Sequence, residues 1–193
     1  MSKGQGQFIL VTLVGTSSPI AVPVSRIFSI YQNNAGTNTY IRYIGAKNTD
    51  EIIESLTAVF QQQSVTLNNL NMIYVTEYGT GRNVIYFTHL IKQMVDVSGD
   101  TKIMFDDARH GNVLATQTIT AIYAYQGVNK NLGMVKVTGK SDSVVRIFMT
   151  CNVKSVYPYP GVGPVTGSII NMNDGDRLIV NETPTVLYTN QPK

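Results

Sequence analysis

Residues 106–110, Asp-Asp-Ala-Arg-His, are the stretch of the sequence richest in side chains that can do chemistry. Two carboxylates and an imidazole in this spacing can hold a divalent cation or transfer protons. At the corresponding place in the last third of the chain, residues 173–176 read Asn-Asp-Gly-Asp, and Asp-Gly is typical of a tight hairpin turn. Because acidic residues are common in turns, we predict a solvated turn at both places. The sequence leaves open whether Asp106, Asp107 and His110 bind an ion.

Other nucleophiles and metal ligands are scarce. The chain has one cysteine, Cys151, and two histidines, His89 and His110. These numbers exclude an internal disulfide, a thiol-rich metal cage and a multi-histidine site within this chain. The sequence contains no nucleophile-elbow, zinc-protease or phosphate-binding glycine motif. We therefore predict no catalytic residue, no metal and no cofactor, and a function that is not enzymatic.

The 193 residues form a weakly charged chain. Charged residues make up 14% of it, against about 25% in an ordinary soluble domain, and the formal net charge is +3. No apolar run approaches the ~20 residues of a membrane-spanning helix, and residues 1–7 lack the apolar core of a signal peptide. We expect a soluble, unsecreted protein without a membrane partner. A net charge this small is weak support for nucleic-acid binding.

One strand pattern occurs three times along the chain. Residues 8–12, 72–76 and 134–138 each form a β-rich run that ends in Val-Thr, with spacings of 76 − 12 = 64 and 138 − 76 = 62 residues. Apolar residues follow each threonine at the same distances. Those found 18 positions later are Ile30, Met94 and Val156. We predict three tandem repeats that cover residues 1–66, 67–130 and 131–193.

Each repeat is predicted to contain antiparallel strands followed by a short helix. Further β-rich runs follow the first, and each copy then reaches a threonine with an apolar residue three positions later, a pattern typical of a helix N-cap. The helices predicted from these caps cover residues 49–61, 116–125 and 183–188. We expect a β-rich α+β fold with three to four antiparallel strands and one helix per repeat. Because a unit of ~60 residues is marginally stable alone, the copies should pack against one another or against other subunits.

Charged residues do not recur at matching positions of the three copies. Arg26, for example, corresponds to Leu90 and Asn152. A duplicated active or ligand site would repeat its polar residues, whereas here only the apolar frame and the helix caps are repeated. This pattern favours a structural or interaction role over catalysis.

The third copy contains a loop that the other copies lack, residues 157–167. Its prolines and glycines exclude a helix or a sheet interior, so we predict an extended surface loop. Tyr157, Tyr159 and Val162 would there be apolar surface without a partner, which favours an arm that packs on a neighbouring subunit. A long connection between two hairpin strands is the alternative.

Binding of single-stranded nucleic acid is the principal alternative function. Twisted sheets of this kind can grip a single strand through basic and aromatic side chains, and the chain has 11 Tyr and 6 Phe. The candidate contacts are the cations on or next to strands, Arg26, Arg42, Lys102 and Arg146. Since these cations do not recur between the copies, nucleic-acid binding is not favoured.

The third copy carries a resemblance to known proteins. Its frame consists of Val-Thr at 137–138, Val-Lys-Ser-Val-Tyr at 153–157, Ile-Asn-Met-Asn-Asp-Gly at 170–175 and Val-Asn-Glu-Thr at 180–183. This frame resembles small FlbD-type β-rich proteins and similar short domains in phage genomes. Three such units in a chain of low charge look like a virion structural protein of a tailed bacteriophage. Ring, neck and auxiliary capsid proteins of crAss-like phages are the nearest association.

The resemblance implies a homo-oligomeric part of a phage particle, such as a portal, neck or tail ring or a capsid-associated protein. The implied partners are copies of the chain and other virion proteins. The implied location is the virion, and the host cytoplasm during assembly. Exposed strand edges are hazardous on a free monomer, but neighbours in a ring or shell cover them. We therefore expect assembly through strand edges, the loop at 157–167 and the start of the chain at 1–6.

Overall fold

The computed structural model describes residues 7–33, 35–65, 71–106, 110–128, 133–160 and 166–189. These residues contain fifteen β-strands and three short α-helices. The strand pairs are antiparallel. This confirms the expectation of a β-rich chain of antiparallel strands and short helices, and the strands form several sheets. None of the helices in the described ranges is long and apolar enough to cross a membrane.

The elements alternate between groups of strands and single helices. The strands are β1 (Phe8–Thr12), β2 (Pro19–Pro23), β3 (Ile27–Gln32), β4 (Thr39–Tyr43), β5 (Thr49–Ile52), β6 (Met72–Thr76), β7 (Asn83–Phe87), β8 (Ile91–Val97), β9 (Asp100–Phe105), β10 (Val113–Ala115), β11 (Met134–Thr138), β12 (Val145–Met149), β13 (Val153–Pro158), β14 (Ser168–Met172) and β15 (Arg177–Val180). The helices are α1 (Leu56–Val65), α2 (Ile119–Val128) and α3 (Pro184–Thr189). One turn of 3₁₀-helix precedes β3, β8 and β13.

The chain divides into two compact units. The described residues up to Leu90, together with Val113–Gln117, form the first unit, and Ile91–Asn112 with the residues from Thr118 onward form the second. The first unit holds the β1–β2 hairpin and a sheet in the order β5-β4-β3-β7-β6. In the second unit, four strands run in the order β9-β8-β12-β11, and a separate sheet has the order β13-β14-β15.

The core of the first unit lies between the β1–β2 hairpin, the sheet and α1. Alternate residues of β1 and β7 face inward, as the two-residue period of a β-strand requires, whereas a bulge in β3 brings Ile27 and Ile30 into the same core. The buried side chains of this core are Ile9, Val11, Val22, Val24, Ile27, Ile30, Ile41, Ile52, Leu56, Val59, Met72, Ile85 and Phe87. Since Met72, Ile85 and Phe87 belong to β6 and β7, the hairpin formed by these strands completes the core that β3, β4 and α1 begin.

A smaller buried cluster lies in the second unit, where β11 and β12 meet the β13–β14–β15 sheet and α3. Its members are Val135, Val137, Phe148, Ile170, Met172, Val180 and Leu187. Val153, Val156 and Leu178 pack against this cluster but are only partly buried. The side of this core next to β13 is thus less completely covered than the corresponding side of the first core.

The turn at 173–176 has the predicted form. Gly175 has a φ of 94°, in the left-handed region that glycine adopts without steric cost. The Gly175 amide donates to the Met172 carbonyl oxygen at 3.2 Å, and the Met172 amide donates to the Asp176 carbonyl oxygen at 2.8 Å. The Asp-Gly pair therefore joins β14 to β15 in a tight hairpin.

The start of the first helix was predicted wrongly. Residues 49–52 form β5, which pairs with β4 through Arg42 and Thr49 among others, and α1 begins only at Leu56. Asp50 is held in the sheet by the Tyr43 hydroxyl, which donates to its carboxylate at 2.8 Å. Ser55 is the cap of α1, because its hydroxyl oxygen accepts the Ala58 amide at 3.1 Å.

The caps of the other helices differ in how well they follow the prediction. Thr118 rather than Thr116 caps α2, since the Thr118 hydroxyl accepts the Ala121 amide at 3.2 Å. Thr183 caps α3 as predicted, and its hydroxyl accepts the Val186 amide at 3.4 Å. A further strand thus stands before each helix. Five strands precede α1, where three to four were expected.

Candidate interaction surfaces

The loop at 157–167 connects two neighbouring strands of one sheet. Tyr157 pairs with Ile169 across β13 and β14, and the Tyr159 amide extends the ladder by donating to the Gly167 carbonyl oxygen at 3.1 Å. The loop is therefore a hairpin connection, the alternative that the sequence left open. Val162 lies outside the described residues, so the assembly role of its part of the loop stays a prediction.

The two tyrosines of this loop have different surroundings. Tyr157 has 55% of its surface exposed, in keeping with the expected exposed aromatic side chain. Tyr159 is half-buried below the Lys140 ammonium group, which lies 5.2 Å from the ring centroid. Lys140 also donates to the carbonyl and hydroxyl oxygens of Thr166, at 2.9 and 3.0 Å. Tyr157 is thus available to a partner, whereas Tyr159 helps to hold the base of the loop.

The four candidate nucleic-acid contacts do not form one cluster within either unit. Arg26 and Arg42 are exposed residues of the first unit, and Lys102 and Arg146 belong to the second. Arg42 lies over the Phe28 ring, 5.3 Å from its centroid. Arg146 forms an ion pair with Asp142 at 2.5 Å, so its charge is already compensated. This hydrogen bond from Arg146 lowers the pKa of Asp142 to about 2.

The sequence did not reveal an aromatic and charged network in the first unit. Arg82 forms an ion pair with Glu77 at 2.7 Å, and its guanidinium carbon lies 4.4 Å from the centroid of the Tyr31 ring. The Tyr86 hydroxyl donates to the other Glu77 oxygen at 2.6 Å. Burial, and then this hydrogen bond, raise the pKa of Tyr86. Tyr31 also stacks on Tyr40, with 5.6 Å between the ring centroids.

This network is suited to packing rather than to chemistry. Glu77 is 8% and Tyr86 2% exposed, so the two are closed off from a substrate. Because Glu77 compensates Arg82, the network offers little free positive charge to a phosphate. Strand register and burial bring these residues together, and neither is visible in their sequence spacing.

Only part of the stretch at 106–110 is described. The Asp106 carboxylate accepts the Asn152 side-chain amide at 3.4 Å, and the same amide donates to the Ile91 carbonyl oxygen at 2.9 Å. Asp107 lies outside the described residues, and His110 is half-buried. No group of three or more His, Cys, Asp or Glu side chains in the described ranges is placed to hold a metal ion. Because Asp107 lies outside these ranges, ion binding by Asp106, Asp107 and His110 stays the question that the sequence leaves open.

The acidic turn at 173–176 has a structural partner. The Lys92 ammonium group lies 2.5 Å from Asp174 and 2.6 Å from Asp176. The hydrogen bond to Asp174, followed by that to Asp176, raises the pKa of Lys92. The turn therefore ties β8 to the β14–β15 hairpin.

Each unit has exposed apolar side chains beside an open strand edge. On β1, Phe8 is 54% and Leu10 61% exposed, although Ile9 and Val11 between and beside them are fully buried. On α3, Tyr188 is 76% exposed. Both groups lie next to open strand edges, because within the described residues β2 pairs only with β1, and β13 pairs only with β14.

The second unit also contains an apolar cavity of about 160 Å³ next to the open edge of β13. Its lining includes Val153, Val156, Ile170 and Leu187. The cavity therefore lies in the incompletely covered part of the core described above.

Comparison with known proteins identifies no relative. No family model matches the chain, and no curated protein or solved structure matches it.

Proposed function

We propose that this chain is a non-enzymatic structural subunit that assembles through its strand edges with copies of itself and with other proteins of a tailed-phage particle. One observation carries the proposal: β2 and β13 each have an open edge in the described residues, with exposed apolar side chains beside it. Open edges of this kind are interaction templates that single-chain proteins usually block.

Three tandem repeats form the body of this proposed subunit. The order of elements supports them, since the series of two strands, a 3₁₀ turn, three strands and a helix occurs three times along the chain. Each first strand also makes the same polar contact. The amides of Thr12, Thr76 and Thr138 donate to side-chain oxygens of Glu54, Gln117 and Glu182, at 2.8, 2.9 and 2.9 Å.

The way in which the repeats join supports assembly through edges. β7 pairs with β3, and β12 pairs with β8, so that the first hairpin of one repeat extends the sheet of the repeat before it. Strand addition is thus the means by which the chain already connects its own parts. We expect the same kind of strand pairing in the contact with another subunit.

A part in a virion fits the composition. Only 14% of the residues are charged, and uncharged polar surface suits repeated close packing, where each buried charge would need a partner. Together with the resemblance of the third repeat to short phage proteins, this favours a portal, neck or tail ring or a capsid-associated component.

Light scattering over a range of protein and salt concentrations tests the proposal. We expect a self-associated species whose mass does not change when a single-stranded oligonucleotide is added. A chain that stays monomeric at every concentration would contradict the structural role.

Single-stranded nucleic-acid binding is the second candidate, supported by the Tyr31–Tyr40 stack and by Arg42 over Phe28. Its affinity should fall steeply with salt, and Arg42→Ala combined with Lys102→Ala should weaken it. A monomer that forms a salt-sensitive complex with the oligonucleotide would favour this second function.

A further inference from the structure

We infer that the β1–β2 hairpin of one copy adds to the open edge of β13 in a second copy, so that the chain assembles head to tail. This inference rests on the proposed structural function and specifies its contact. A head-to-tail interface uses two different surfaces, so it produces a closed ring when the rotation between copies closes and a filament when it does not.

The two strand pairs inside the chain define the expected register. β3 pairs with β7 through Ile30 and Ile85, and β8 pairs with β12 through Met94 and Ile147. Counted from the threonines that end β1, β6 and β11, the corresponding residue of β2 is Ala21 and that of β13 is Val156. The register therefore places Ala21 of one copy opposite Val156 of the next.

The backbone of β2 presents the groups that this register needs. The Val24 amide donates to the Gln7 carbonyl oxygen, and the Leu13 amide donates to that of Ser18, in the ladder between β1 and β2. Because alternate residues of an antiparallel strand point to opposite edges, the N–H and C=O groups of Ala21 point to the open edge.

The backbone of β13 is arranged in the same way. The Tyr159 amide donates to Gly167 in the ladder to β14, and Tyr157 pairs with Ile169. The alternation then directs the N–H and C=O groups of Val156 to the open edge of β13. Ala21 and Val156 can therefore exchange two hydrogen bonds between copies.

Two prolines limit how the edge of β2 can be used. Pro19 and Pro23 lie two residues on either side of Ala21 and share its edge, where they offer no N–H. The internal pairs β3–β7 and β8–β12 are only three residues long, so such a short pair fits between the prolines. Longer or shifted pairing is blocked, which favours this one register.

The exposed side chains of α3 and β1 are the two halves of a contact that the chain makes twice internally. Phe60 of α1 packs edge-on against Tyr74 of β6, with 5.6 Å between the ring centroids. In α2, the ring of Tyr123 lies 5.9 Å from the Lys136 ammonium group of β11. In both pairs the helix residue lies five positions after the cap of its helix, and the strand residue lies two positions before the threonine that ends its strand. The residues at these positions of α3 and β1 are Tyr188 and Leu10. These residues are 76% and 61% exposed, so each lacks its counterpart.

In this contact, Phe8 of one copy fills the cavity beside β13 of the second copy. Its counterparts Met72 and Met134 are fully buried, whereas Phe8 is 54% exposed. Met72 packs in the first core with Ile27 and Ile30, whose counterparts in the last repeat line the cavity. A volume of about 160 Å³ is sufficient for a phenyl ring, since cavities of about 150 Å³ bind benzene.

A complementation experiment tests this contact. The head variant carries Phe8→Asp and Leu10→Asp, and the tail variant carries Tyr188→Asp. Each side chain is exposed in the free chain, so both variants should fold, which circular dichroism and thermal unfolding check. Each variant should be monomeric at concentrations where the natural chain is assembled. Mixed together they should form a 1:1 dimer, because the intact tail of the first accepts the intact head of the second.

A matched control and a backbone variant complete the design. Tyr78 is also a highly exposed aromatic residue, at 62%, and lies outside the proposed contact, so Tyr78→Asp should assemble normally. Ala21→Pro removes the outward N–H of β2 and should prevent assembly. If the head and tail variants still assemble like the natural chain, or fail to form the dimer, the head-to-tail contact is wrong while the structural function stands. A natural chain that never assembles would instead overturn the structural function itself.

Discussion

At the scale of single residues, one hydrogen bond recurs in every repeat of the proposed subunit. The side chain that accepts the first-strand threonine amide is Glu54, Gln117 or Glu182. The acceptor is a carboxylate oxygen in two repeats and an amide oxygen in one, so the contact requires a hydrogen-bond acceptor rather than a negative charge. The sequence did not show this recurrence because the residue type changes and the partners are about 40 positions apart.

Replacing Glu182 tests the need for an acceptor. Glu182→Ala leaves the part-buried Thr138 amide without its acceptor and should lower the free energy of unfolding by about 1–3 kcal/mol. Glu182→Gln restores the group that the second repeat uses and should cost less than half as much. Urea unfolding of the three proteins measures the difference. Equal losses in both variants would show that the charge of Glu182, rather than its acceptor oxygen, stabilises the strand.

The ion pair of Asp142 with Arg146 makes stability depend on pH. The hydrogen bond from Arg146 lowers the pKa of Asp142 from 3.8 to about 2 in the folded chain. The unfolded state therefore binds the proton of Asp142 more readily than the folded state does. The ion pair consequently stabilises the fold fully above about pH 4, and this stabilisation is lost as the pH falls towards 2. Asp142→Asn should have a lower urea midpoint than the natural chain at pH 6 and the same midpoint near pH 2. A difference that persists at pH 2 would assign the effect to packing.

At the scale of elements, the strand pattern was predictable and the helix starts were not. The runs that end in Val-Thr are β1, β6 and β11 with the predicted bounds. Thr49 was misread because a threonine followed three positions later by Ile52 fits both a helix cap and a strand with an inward isoleucine. Residues 49–52 form a strand because Thr49 pairs with Arg42 on β4. Tertiary pairing of this kind is not visible in the local sequence.

The loop after β13 was predictable as a loop, but its closure depends on one glycine. A Cβ atom at Gly167 would overlap the Val180 carbonyl oxygen on the neighbouring strand β15. Gly167→Ala should therefore force the strands apart and cost about 1–3 kcal/mol in urea unfolding. Gly15→Ala is the matched control, since a Cβ atom there meets nothing within 4 Å. Equal stability of the two variants would mean that β14 and β15 can shift without cost.

At the scale of the whole molecule, two strands lack a neighbour that the corresponding strands of the other proposed repeats have. Within the described residues, these are β2 of the first repeat and β13 of the third. The sequence suggested assembly through strand edges, the loop at 157–167 and residues 1–6, but it did not indicate which strand edges take part. The exposure of Leu10 and Tyr188, set against the internal pairs Phe60–Tyr74 and Tyr123–Lys136, provides that information. The exposure of these side chains depends on which copies of a repeat have a neighbour, and this is not visible in the sequence.

A head-to-tail chain should be sensitive to small amounts of a blocked copy. The head variant with Phe8→Asp and Leu10→Asp still has an intact β13 edge, so it accepts the hairpin of a natural copy but cannot insert its own. Mixed before assembly, it should end each growing chain, and the mean mass from light scattering should fall as its mole fraction rises. A variant blocked at both surfaces, with Tyr188→Asp added, should leave the mass of the natural assemblies unchanged. If both variants lower the mass equally, the effect comes from dilution, and directional growth through β2 and β13 is excluded.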